Sequence, residues 1–498
     1  MANKVPIRSL PSGVPGLDEV LGGGIPEFSL NLIVGGAGSG KTTLGQQIMF
    51  ANASQERKAI FFSIMGEPPL KMLRYMQQLS FFDAAKVEDS IRFVHLGKEA
   101  QEGGLEKVLE HIVSEIDQAD PALVVVDSFR GLMTRTTAMK ASESAVQDFM
   151  QQLALHLTSC EATTFLLGEY NDNDNDNDNA VFTVADSIVW LFQAVERNSV
   201  VRKLHVQKMR GRAQIPGLQT MRLTSDGLKV FPRLLKPAQG ATIVKPLQNR
   251  LTTGNAKLDE MTGGGIPRGY SVLVAGPSGS GKTVLSNQFI LEGIHRGEAG
   301  VIAVFEKRPN DYLQTTAQSD TLEQLVRDRK LEIVYLRPLD LSIDETLTEL
   351  RDAIVRTGAK RAVIDSLSGL ELALAPTFRE DFRESLYRMI GALTGMGVTV
   401  MATDELSDSF DRFSLSSHGA AFLCDAIIVQ RYLEVSSQIR RVMAVVKVRG
   451  SQHSKDLCEY EVTSEGVIAI GDRLADYEAL LTGAPVFVGD LDAAKTVR

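Results

Sequence analysis

Two octapeptides with the same spacing of glycine, lysine and threonine carry the most specific chemistry of this 498-residue chain. They span residues 35–42 and 276–283, and both read G-x-x-x-x-G-K-T. Glycine lets successive backbone N–H groups surround a phosphate, while the lysine supplies a positive charge and the threonine a magnesium ligand. The pattern therefore predicts two phosphate-binding P-loops that bind a nucleoside triphosphate with Mg²⁺.

The residues of both loops are the predicted nucleotide contacts. Lys41 and Lys282 are expected to bind the β- and γ-phosphates, and the hydroxyls of Thr42 and Thr283 to bind Mg²⁺. The other predicted contacts are Gly36, Ala37, Gly38, Ser39, Gly40 and Thr43 in the first loop and Pro277, Ser278, Gly279, Ser280, Gly281 and Val284 in the second.

Each loop lies between a predicted strand and a predicted helix. The apolar runs 30–34 and 272–275 predict buried strands, and residues 43–52 and 284–293 predict helices whose amino termini face the phosphates. A single motif in a chain of this length could arise by chance, but two motifs with correctly placed strands and helices do not.

An apolar run ending in aspartate follows each P-loop. These runs are Leu-Val-Val-Val-Asp at 123–127 and Ala-Val-Ile-Asp at 362–365. A carboxylate at the carboxyl end of a strand can orient a magnesium-bound water. We therefore predict that Asp127 and Asp365 belong to the two metal sites.

The paired motifs belong to a tandem duplication. Residues 17–26 and 258–267 repeat one segment at the offset of 241 that separates the two P-loop lysines. Alternating apolar strands and helices predict an α/β fold with a mostly parallel, doubly wound sheet in each copy, extended by antiparallel strand pairs. The further predicted strands are 59–64, 163–167 and 187–192 in the first copy and 301–305, 398–402 and 426–430 in the second.

The duplication also sets the predicted domain boundaries. We place the domains at residues 1–236 and 237–498, joined by a proline-containing linker at 232–246. An amphipathic helix is predicted in the first copy, with its apolar face formed by Leu105, Val108, Leu109, Ile112, Val113 and Ile116.

Composition restricts the class of protein. A hydrophobic content of 44% and a charged content of 23% are typical of a soluble globular chain. No stretch approaches twenty uninterrupted apolar residues and the amino terminus lacks a signal-peptide pattern, so a cytoplasmic protein without a membrane partner is predicted. The net charge of −9 argues against a broad nucleic-acid-binding surface.

Two other features of the sequence contain residue types that bind metals. Cys160, Cys424 and Cys458 are far apart and show no metal-ligand spacing, so they are predicted to be core thiols in a reducing compartment. The Asn/Asp tract 171–179 lacks the glycine and the terminal glutamate of an EF-hand loop, and it is predicted to be a mobile acidic surface loop.

The duplicated P-loop unit, its Gly-Gly-Gly-Ile-Pro segments and the Lys-x-Arg-Gly motifs at 208–211 and 447–450 resemble the KaiC family of RecA-like ATPases. The resemblance covers nearly the whole chain. It implies two tandem RecA-like P-loop domains that use ATP and Mg²⁺ and a two-tiered homo-hexamer with ATP between neighbouring subunits. It also implies clock or signalling proteins as partners.

The same resemblance implies roles for individual residues. Lys208, Arg210, Lys447 and Arg449 would reach the phosphates of a neighbouring subunit, where an arginine neutralises charge on the transferring phosphoryl group. Arg441, six residues before Lys447, is a further candidate.

The water-activating carboxylates depart from the family pattern, which places adjacent glutamates after the second strand. Glu306 is followed by Lys307, and Glu67 is displaced by about one residue, in Met-Gly-Glu-Pro at 65–68. Both glutamates are predicted to be catalytic, and Glu306 is also a predicted metal ligand.

Three functions remain open: a Mg²⁺-dependent ATPase that regulates partners, a serine/threonine autokinase, and a DNA recombinase. The family's phosphorylated Ser-Thr pair corresponds to Ala421 and Phe422, which have no hydroxyl. The substitute acceptors near this position are Thr403, Ser414, Ser416 and Ser417. A recombinase needs basic, glycine-rich loops, and only residues 208–212 offer such a cluster. The ATPase is the leading prediction.

Overall fold

A computed structural model describes residues 7–64, 69–102, 104–128, 143–170, 180–196, 199–233, 249–314, 316–336, 341–379, 382–406, 420–435, 437–475, 477–478 and 486–487. The chain divides into two units, Met1–Arg233 and Leu234–Arg498, called unit 1 and unit 2 below. Glu67, the tract 171–179 and the serines 414, 416 and 417 lie outside the described residues.

Unit 1 alternates strands with helices along the chain. Its strands are β1 (Ser9–Leu10), β2 (Ile25–Pro26), β3 (Leu30–Gly35), β4 (Ala59–Ser63), β5 (Ile91–His95), β6 (Leu123–Asp127), β7 (Thr163–Glu169), β8 (Ser187–Glu196), β9 (Ser199–Met209), β10 (Gln219–Thr224) and β11 (Gly227–Phe231). Its helices are α1 (Leu17–Val20), α2 (Lys41–Asn52), α3 (Pro69–Met76), α4 (Ala84–Asp89), α5 (Gly97–Glu102), α6 (Gly104–Ala119), α7 (Glu143–Ser159) and α8 (Ala180–Val184).

Unit 2 repeats this alternation. Its strands are β12 (Arg250–Leu251), β13 (Ile266–Pro267), β14 (Ser271–Gly276), β15 (Gly300–Val304), β16 (Leu331–Tyr335), β17 (Arg361–Asp365), β18 (Thr399–Glu405), β19 (Ala426–Val435), β20 (Gln438–Val448), β21 (Leu457–Val462), β22 (Ile468–Arg473), β23 (Tyr477–Glu478) and β24 (Val486–Phe487). Its helices are α9 (Ala256–Met261), α10 (Lys282–His295), α11 (Pro309–Gln314), α12 (Ser319–Arg327), α13 (Ile343–Thr357), α14 (Leu367–Ala373), α15 (Pro376–Arg379) and α16 (Phe382–Gly395), with a short 3₁₀ turn at Ala420–Phe422.

The two units have the same sheet topology. Unit 1 has a nine-stranded sheet in the order β5-β4-β6-β7-β3-β8-β9-β10-β11, and unit 2 has β16-β15-β17-β18-β14-β19-β20-β21-β22. The first six strands in each order run parallel and the last three continue antiparallel. The predicted pair of mostly parallel α/β sheets with antiparallel extensions is confirmed.

The apolar strands of unit 1 are buried because helices cover both faces of the sheet. Leu32 and Val34 of β3 pack into one core, whereas Ile33 between them packs into a second core. This alternation follows from the two-residue period of a strand. Helix α6 adds its apolar stripe to the first of these cores, with Val108 and Ile112 fully buried, as predicted.

The three cysteines are free thiols. Cys424 and Cys458 are buried as predicted, whereas Cys160, which follows the last residue of α7, is only partly buried and packs against the core of unit 1. Of the helices that the structure describes, none combines the length and the apolar character needed to cross a lipid bilayer.

Candidate nucleotide-binding sites

The first P-loop connects the end of β3 to the start of α2. Gly38 and Gly40 have φ angles of +73° and +103°, a region that residues with a Cβ rarely adopt. A Cβ on Gly40 would also lie 3.3 Å from Leu228 Cδ1. Gly279 and Gly281 repeat these conformations in unit 2, with φ angles of +74° and +99°. Both loops therefore lead into the amino terminus of a helix, which is a favourable position for a phosphate.

The lysine of each P-loop is held against its own loop. Lys41 Nζ donates hydrogen bonds to the carbonyls of Gly35 and Gly36 at 2.9 and 2.8 Å. Lys282 Nζ makes the corresponding bonds to the carbonyls of residues 276 and 277, at 2.8 and 2.7 Å. Burial lowers the pKa of both ammonium groups, although nearby carboxylates oppose the shift. Each loop thus holds a cation where it can meet phosphate oxygens.

A threonine and an aspartate form a hydroxyl–carboxylate pair beside each lysine. Thr42 Oγ1 donates to Asp127 Oδ2 at 2.7 Å, and Thr283 Oγ1 donates to Asp365 Oδ2 at 2.8 Å. Mg²⁺ prefers oxygen ligands at about 2.0–2.1 Å in an octahedron, so adjacent ligand atoms are about 2.9 Å apart. The two oxygen pairs fit Mg²⁺ in both donor type and spacing.

One further carboxylate and one hydroxyl lie near the Thr283–Asp365 pair of unit 2. Glu306 is exposed after β15, and its Oε1 accepts a hydrogen bond from Ser366 Oγ at 3.4 Å. Thr403 Oγ1 donates to Asp365 Oδ1 at 2.6 Å and its side chain is fully buried. Because this hydroxyl fixes the aspartate, Thr403 is placed for a supporting role and not as an exposed phosphate acceptor.

Two carboxylates near the P-loop lysines were not predicted. Glu169 ends β7 and Glu405 ends β18, and the negative charge of each opposes the lowering of the pKa of its P-loop lysine by burial. Both residues follow predicted strands, so their position at the carboxyl ends of those strands was the available signal.

The Lys-x-Arg-Gly motifs lie at the opposite edge of each sheet. Arg210 Nη1 donates to Asp186 Oδ1 at 3.0 Å, and the other oxygen of this carboxylate accepts from the backbone N–H of Leu30, the first residue of β3. In unit 2, Arg449 Nη1 donates to Asp425 Oδ1 at 3.2 Å, and Oδ2 accepts from the N–H of Ser271, which begins β14. Since a six-residue strand is about 20 Å long, these arginines lie far from their own P-loops.

The lysines of these motifs bond to nearby backbone carbonyls. Lys208 Nζ donates to the carbonyls of Phe182 and Thr183 at 3.2 and 3.1 Å. Lys447 Nζ donates to the carbonyls of Ala421 and Cys424 at 3.3 and 2.7 Å. Burial, and next the positive charge of the neighbouring arginine, lower the pKa of each lysine. All four basic groups remain beside the amino ends of the central strands.

Ala421 and Phe422, which the sequence analysis aligned with the family's Ser-Thr pair, lie beside the second motif. Arg449 Nη2 donates to the carbonyl of Phe422 at 2.9 Å. The Phe422 ring is 47% exposed, and the guanidinium carbon of Arg383 lies 4.2 Å from the ring centroid. An apolar ring stacked under a cation thus occupies the position expected for a phosphate acceptor.

Arg441 does not join Lys447 and Arg449. It pairs across strands with Tyr432, whose hydroxyl donates to the P-loop carbonyl of Ser278 at 3.2 Å. Arg441 therefore lies at the P-loop edge of its own unit. Arg202 pairs with Gln193 at the corresponding position of unit 1, and the Nε atoms of both arginines are buried without a hydrogen-bond partner in the described structure.

Arg202 was missed at the sequence level although a signal existed. It precedes Lys208 by six residues, as Arg441 precedes Lys447, so the offset of 239 between the two motifs also relates the two arginines.

The basic cluster 208–212 is engaged by its own unit. Arg212 Nη1 donates to the carbonyls of Gly23 and Gly24 at 3.0 and 3.3 Å, and Nη2 donates to the carbonyl of Ile7 at 3.0 Å. These bonds tie the guanidinium to loops of unit 1.

Comparison with known proteins agrees with this geometry. A family model described as "ATPase: KaiC" matches residues 10–234 and 251–474. The "Circadian clock oscillator protein KaiC" of Picosynechococcus sp. is 25% identical over 491 residues, covering 96% of this chain and 92% of that protein. The protein of the same name from Prochlorococcus marinus is 24% identical, covering 98% and 97%. "Circadian clock oscillator protein KaiC 1" of Synechocystis sp. is 23% identical, covering 96% and 92%.

Proposed function

Because this chain belongs to the KaiC family of ATPases, we propose that it is a Mg²⁺-dependent ATPase that assembles into a two-tiered homo-hexameric ring. Each tier is formed by one of the two duplicated domains, 1–236 and 237–498. ATP lies between neighbouring subunits, and its hydrolysis changes the affinity of the ring for regulatory partners in the cytoplasm.

The separation of each P-loop from the Lys-x-Arg-Gly motif of its own unit carries this proposal. Lys41 lies after the carboxyl end of β3, whereas Arg210 lies beside the amino end of the same strand. One nucleotide cannot contact both groups of one unit. A neighbouring subunit that presents Arg210 to the P-loop supplies the missing charge, and the same argument applies to Lys282 and Arg449.

The residues at the P-loop edge of each sheet have separate proposed roles in metal binding, phosphate binding and hydrolysis. Thr42 and Asp127 would hold Mg²⁺ in unit 1, and Thr283, Asp365 and Glu306 would hold it in unit 2; the ion neutralises phosphate charge and orients water. Lys41 and Lys282 bind phosphate oxygens. Glu67 and Glu306 are the proposed bases that align the attacking water, and Arg210 and Arg449 of the neighbour stabilise the charge of the transition state.

Water is the proposed acceptor of the phosphoryl group. Ala421 and Phe422 lie beside Lys447 and Arg449, which present this segment to the neighbour's ATP in the proposed ring. Neither side chain has a hydroxyl, so the segment cannot accept phosphate. We propose regulation of clock or signalling partners because the similar proteins are circadian clock oscillator proteins.

Assembly and hydrolysis can be tested together on the purified full-length chain. Sedimentation velocity and native mass spectrometry should show a hexamer with Mg²⁺ and ATP and smaller species after nucleotide removal, because a ligand between subunits favours assembly by mass action. Chelation of Mg²⁺ should abolish phosphate release. Lys41→Ala and Lys282→Ala should each remove nucleotide from one tier. A stable hexamer without nucleotide and phosphate, or hydrolysis without Mg²⁺, would contradict the proposal.

A further inference from the structure

Three side chains of different chemistry converge where helices α6 and α7 end. Asp117 lies in the last turn of α6, His156 lies in the last turn of α7, and Cys160 directly follows α7. One potential ligand atom from each residue lies within 4.8 Å of the other two. A carboxylate, an imidazole and a thiol thus face one small volume.

The two distances from the His156 ring nitrogen are close to those of a tetrahedral metal site. His156 Nε2 lies 3.6 Å from Cys160 Sγ and 3.1 Å from Asp117 Oδ1. With Zn–S near 2.3 Å and Zn–N and Zn–O near 2.1 Å, tetrahedral angles place sulfur about 3.6 Å and oxygen about 3.4 Å from the nitrogen. One ring nitrogen faces both other ligand atoms, as it must if all three bind one ion.

The cluster lies at the opposite edge of the sheet from the P-loop. Asp117 precedes the first residue of β6, whereas Asp127 ends that strand. Cys160 likewise precedes β7, whereas Glu169 ends it. A five-residue strand is about 16 Å long, so the cluster is separate from the nucleotide site.

The duplication shows that the helix pair does not need these side chains for packing. Counting back from the first residues of β17 and β18 gives Val355, Ala392 and Met396 at the positions of Asp117, His156 and Cys160. In unit 2, α13 packs against α16 without these ligand types: Val355 is 70% exposed, and Ala392 and Met396 are partly buried against the core. The ligand set in unit 1 is therefore a feature added to the common fold.

We propose that Asp117, His156 and Cys160 form a binding site for one divalent transition-metal ion of the zinc type, with water completing the tetrahedron. Thiolate and imidazole ligands select Zn²⁺ or Co²⁺ over Mg²⁺ and Ca²⁺. Asp120 adds a second negative charge near the thiol. The bound ion links the end of α6 to the end of α7 and so restrains the two helices that lead into β6 and β7.

Cobalt is the probe that distinguishes this site from the nucleotide sites. Reduced, metal-stripped full-length protein is titrated with Co²⁺, and the sulfur-to-cobalt charge-transfer band in the near ultraviolet is recorded. Thr42, Asp127, Thr283 and Asp365 supply only oxygen, so Co²⁺ bound there gives no such band. We expect one equivalent of band-forming Co²⁺, displaced by Zn²⁺ and not by Mg²⁺.

Variants assign the band to the cluster. Cys160→Ser should abolish it, and His156→Gln and Asp117→Asn, on different helices, should each weaken Co²⁺ binding by at least about tenfold. Cys458→Ser and Cys424→Ser are the matched thiol controls and should retain the band. ATP hydrolysis should be unchanged in the cluster variants, which also shows that they fold. A wild-type protein without the band, or a band that survives Cys160→Ser, overturns the proposal.

Discussion

The guanidinium of Arg210 donates a hydrogen bond of 3.0 Å to the carboxylate of Asp186 at the edge of the sheet where β3 begins. The P-loop follows the other end of that strand, and Arg449 and Asp425 repeat the arrangement in unit 2. The arginine is 60% exposed, so it can exchange its carboxylate partner for a phosphate of another subunit.

Replacing this arginine should slow hydrolysis without unfolding the unit. We expect Arg210→Ala to reduce phosphate release from the first tier by roughly a thousandfold, because an arginine supplied in trans contributes that much to phosphoryl transfer. The assay uses an Asp365→Asn background, which suppresses the second tier. Arg92→Ala is the matched control, since Arg92 is 54% exposed and pairs with Glu115 at 3.0 Å but lies on β5 at the far end of the sheet.

Mixed rings test whether the arginine acts between subunits. Arg210→Ala subunits keep Asp127, and Asp127→Asn subunits keep Arg210. At equal mixing about a quarter of the interfaces combine both intact groups, because a head-to-tail ring joins different surfaces of neighbouring subunits. First-tier activity should recover to about that fraction of the wild-type value. Proven subunit exchange without recovery would show that Arg210 does not act in trans.

The sequence predicted the repeated core because its signals are local. The apolar run at 30–34 and the glycines of the P-loop specify a buried strand and a turn, and they became β3 and the loop before α2. The edge at which Arg210 lies depends on the β8–β9 hairpin and on the pairing of β8 with β3, which joins residues far apart in the sequence, such as Asn31 and Ser187. In this geometry Arg210 lies at the end of β3 opposite to the P-loop of its own unit.

Arg202, which the sequence analysis did not identify, is a predicted ATP contact of the first tier. Its Nε is buried without a partner in the described structure, and its cross-strand neighbour Gln193 lies near Gly38 of the P-loop. Arg202→Met should weaken ATP binding to the first tier roughly tenfold to a hundredfold, the value of a hydrogen bond to a charged group. Fluorescent-nucleotide titration measures the effect.

The adjacent residue provides the control for this substitution. Lys203 follows Arg202 on β9, and its side chain points to the other face of the sheet. Lys203→Met should leave the affinity within about twofold of the wild-type value. Equal losses in the two variants would show a general effect of charge and not a contact of Arg202 with nucleotide.

Cys160 shows a different limit of sequence reasoning. The three cysteines have no metal-ligand spacing with one another, which is why the sequence predicted core thiols. The partners of Cys160 are a histidine one helical turn earlier and an aspartate on another helix. The i, i+4 spacing of His156 and Cys160 was visible, but only the packing of α6 on α7 adds Asp117.

The segment at Ala421 and Phe422 should remain free of phosphate. Incubation of the hexamer with Mg²⁺ and ATP, followed by phosphopeptide mapping, should show phosphate release into solution without stoichiometric protein phosphorylation. In-line transfer requires an acceptor oxygen about 3–3.5 Å from the γ-phosphate. Stoichiometric phosphate on Ser414, Ser416 or Ser417 that disappears in Lys282→Ala would favour the autokinase function instead.

We expect burial of Cys424 to make unit 2 less stable at alkaline pH. Burial, and next the charge of Asp425, raise the pKa of this thiol from 9.0 to about 12. In that pH window the unfolded chain has lost the thiol proton and the folded chain has kept it. The free energy of unfolding should therefore fall as pH rises, by at most about 1.4 kcal/mol per pH unit. Below about pH 9 the Cys424 thiol is protonated in both states, so it does not make the free energy of unfolding depend on pH.

Urea unfolding of unit 2 measured at several pH values between 9 and 12 checks this expectation against the Cys424→Ala variant. The variant loses packing at every pH, so the comparison concerns the slope with pH and not the absolute stability. Its free energy of unfolding should decline less steeply than that of the wild-type chain. Parallel pH profiles would show that the thiol keeps no raised pKa in the folded state.

The hydrogen bonds from Lys41 to backbone carbonyls affect the free energy of ATP binding. The side chain is only 9% exposed, and its ammonium already bonds to the backbone of residues 35 and 36. An incoming triphosphate replaces carbonyl oxygens around a charge that has already lost most of its water. The dehydration of this cation is therefore a cost of folding, and the affinity for ATP does not include it.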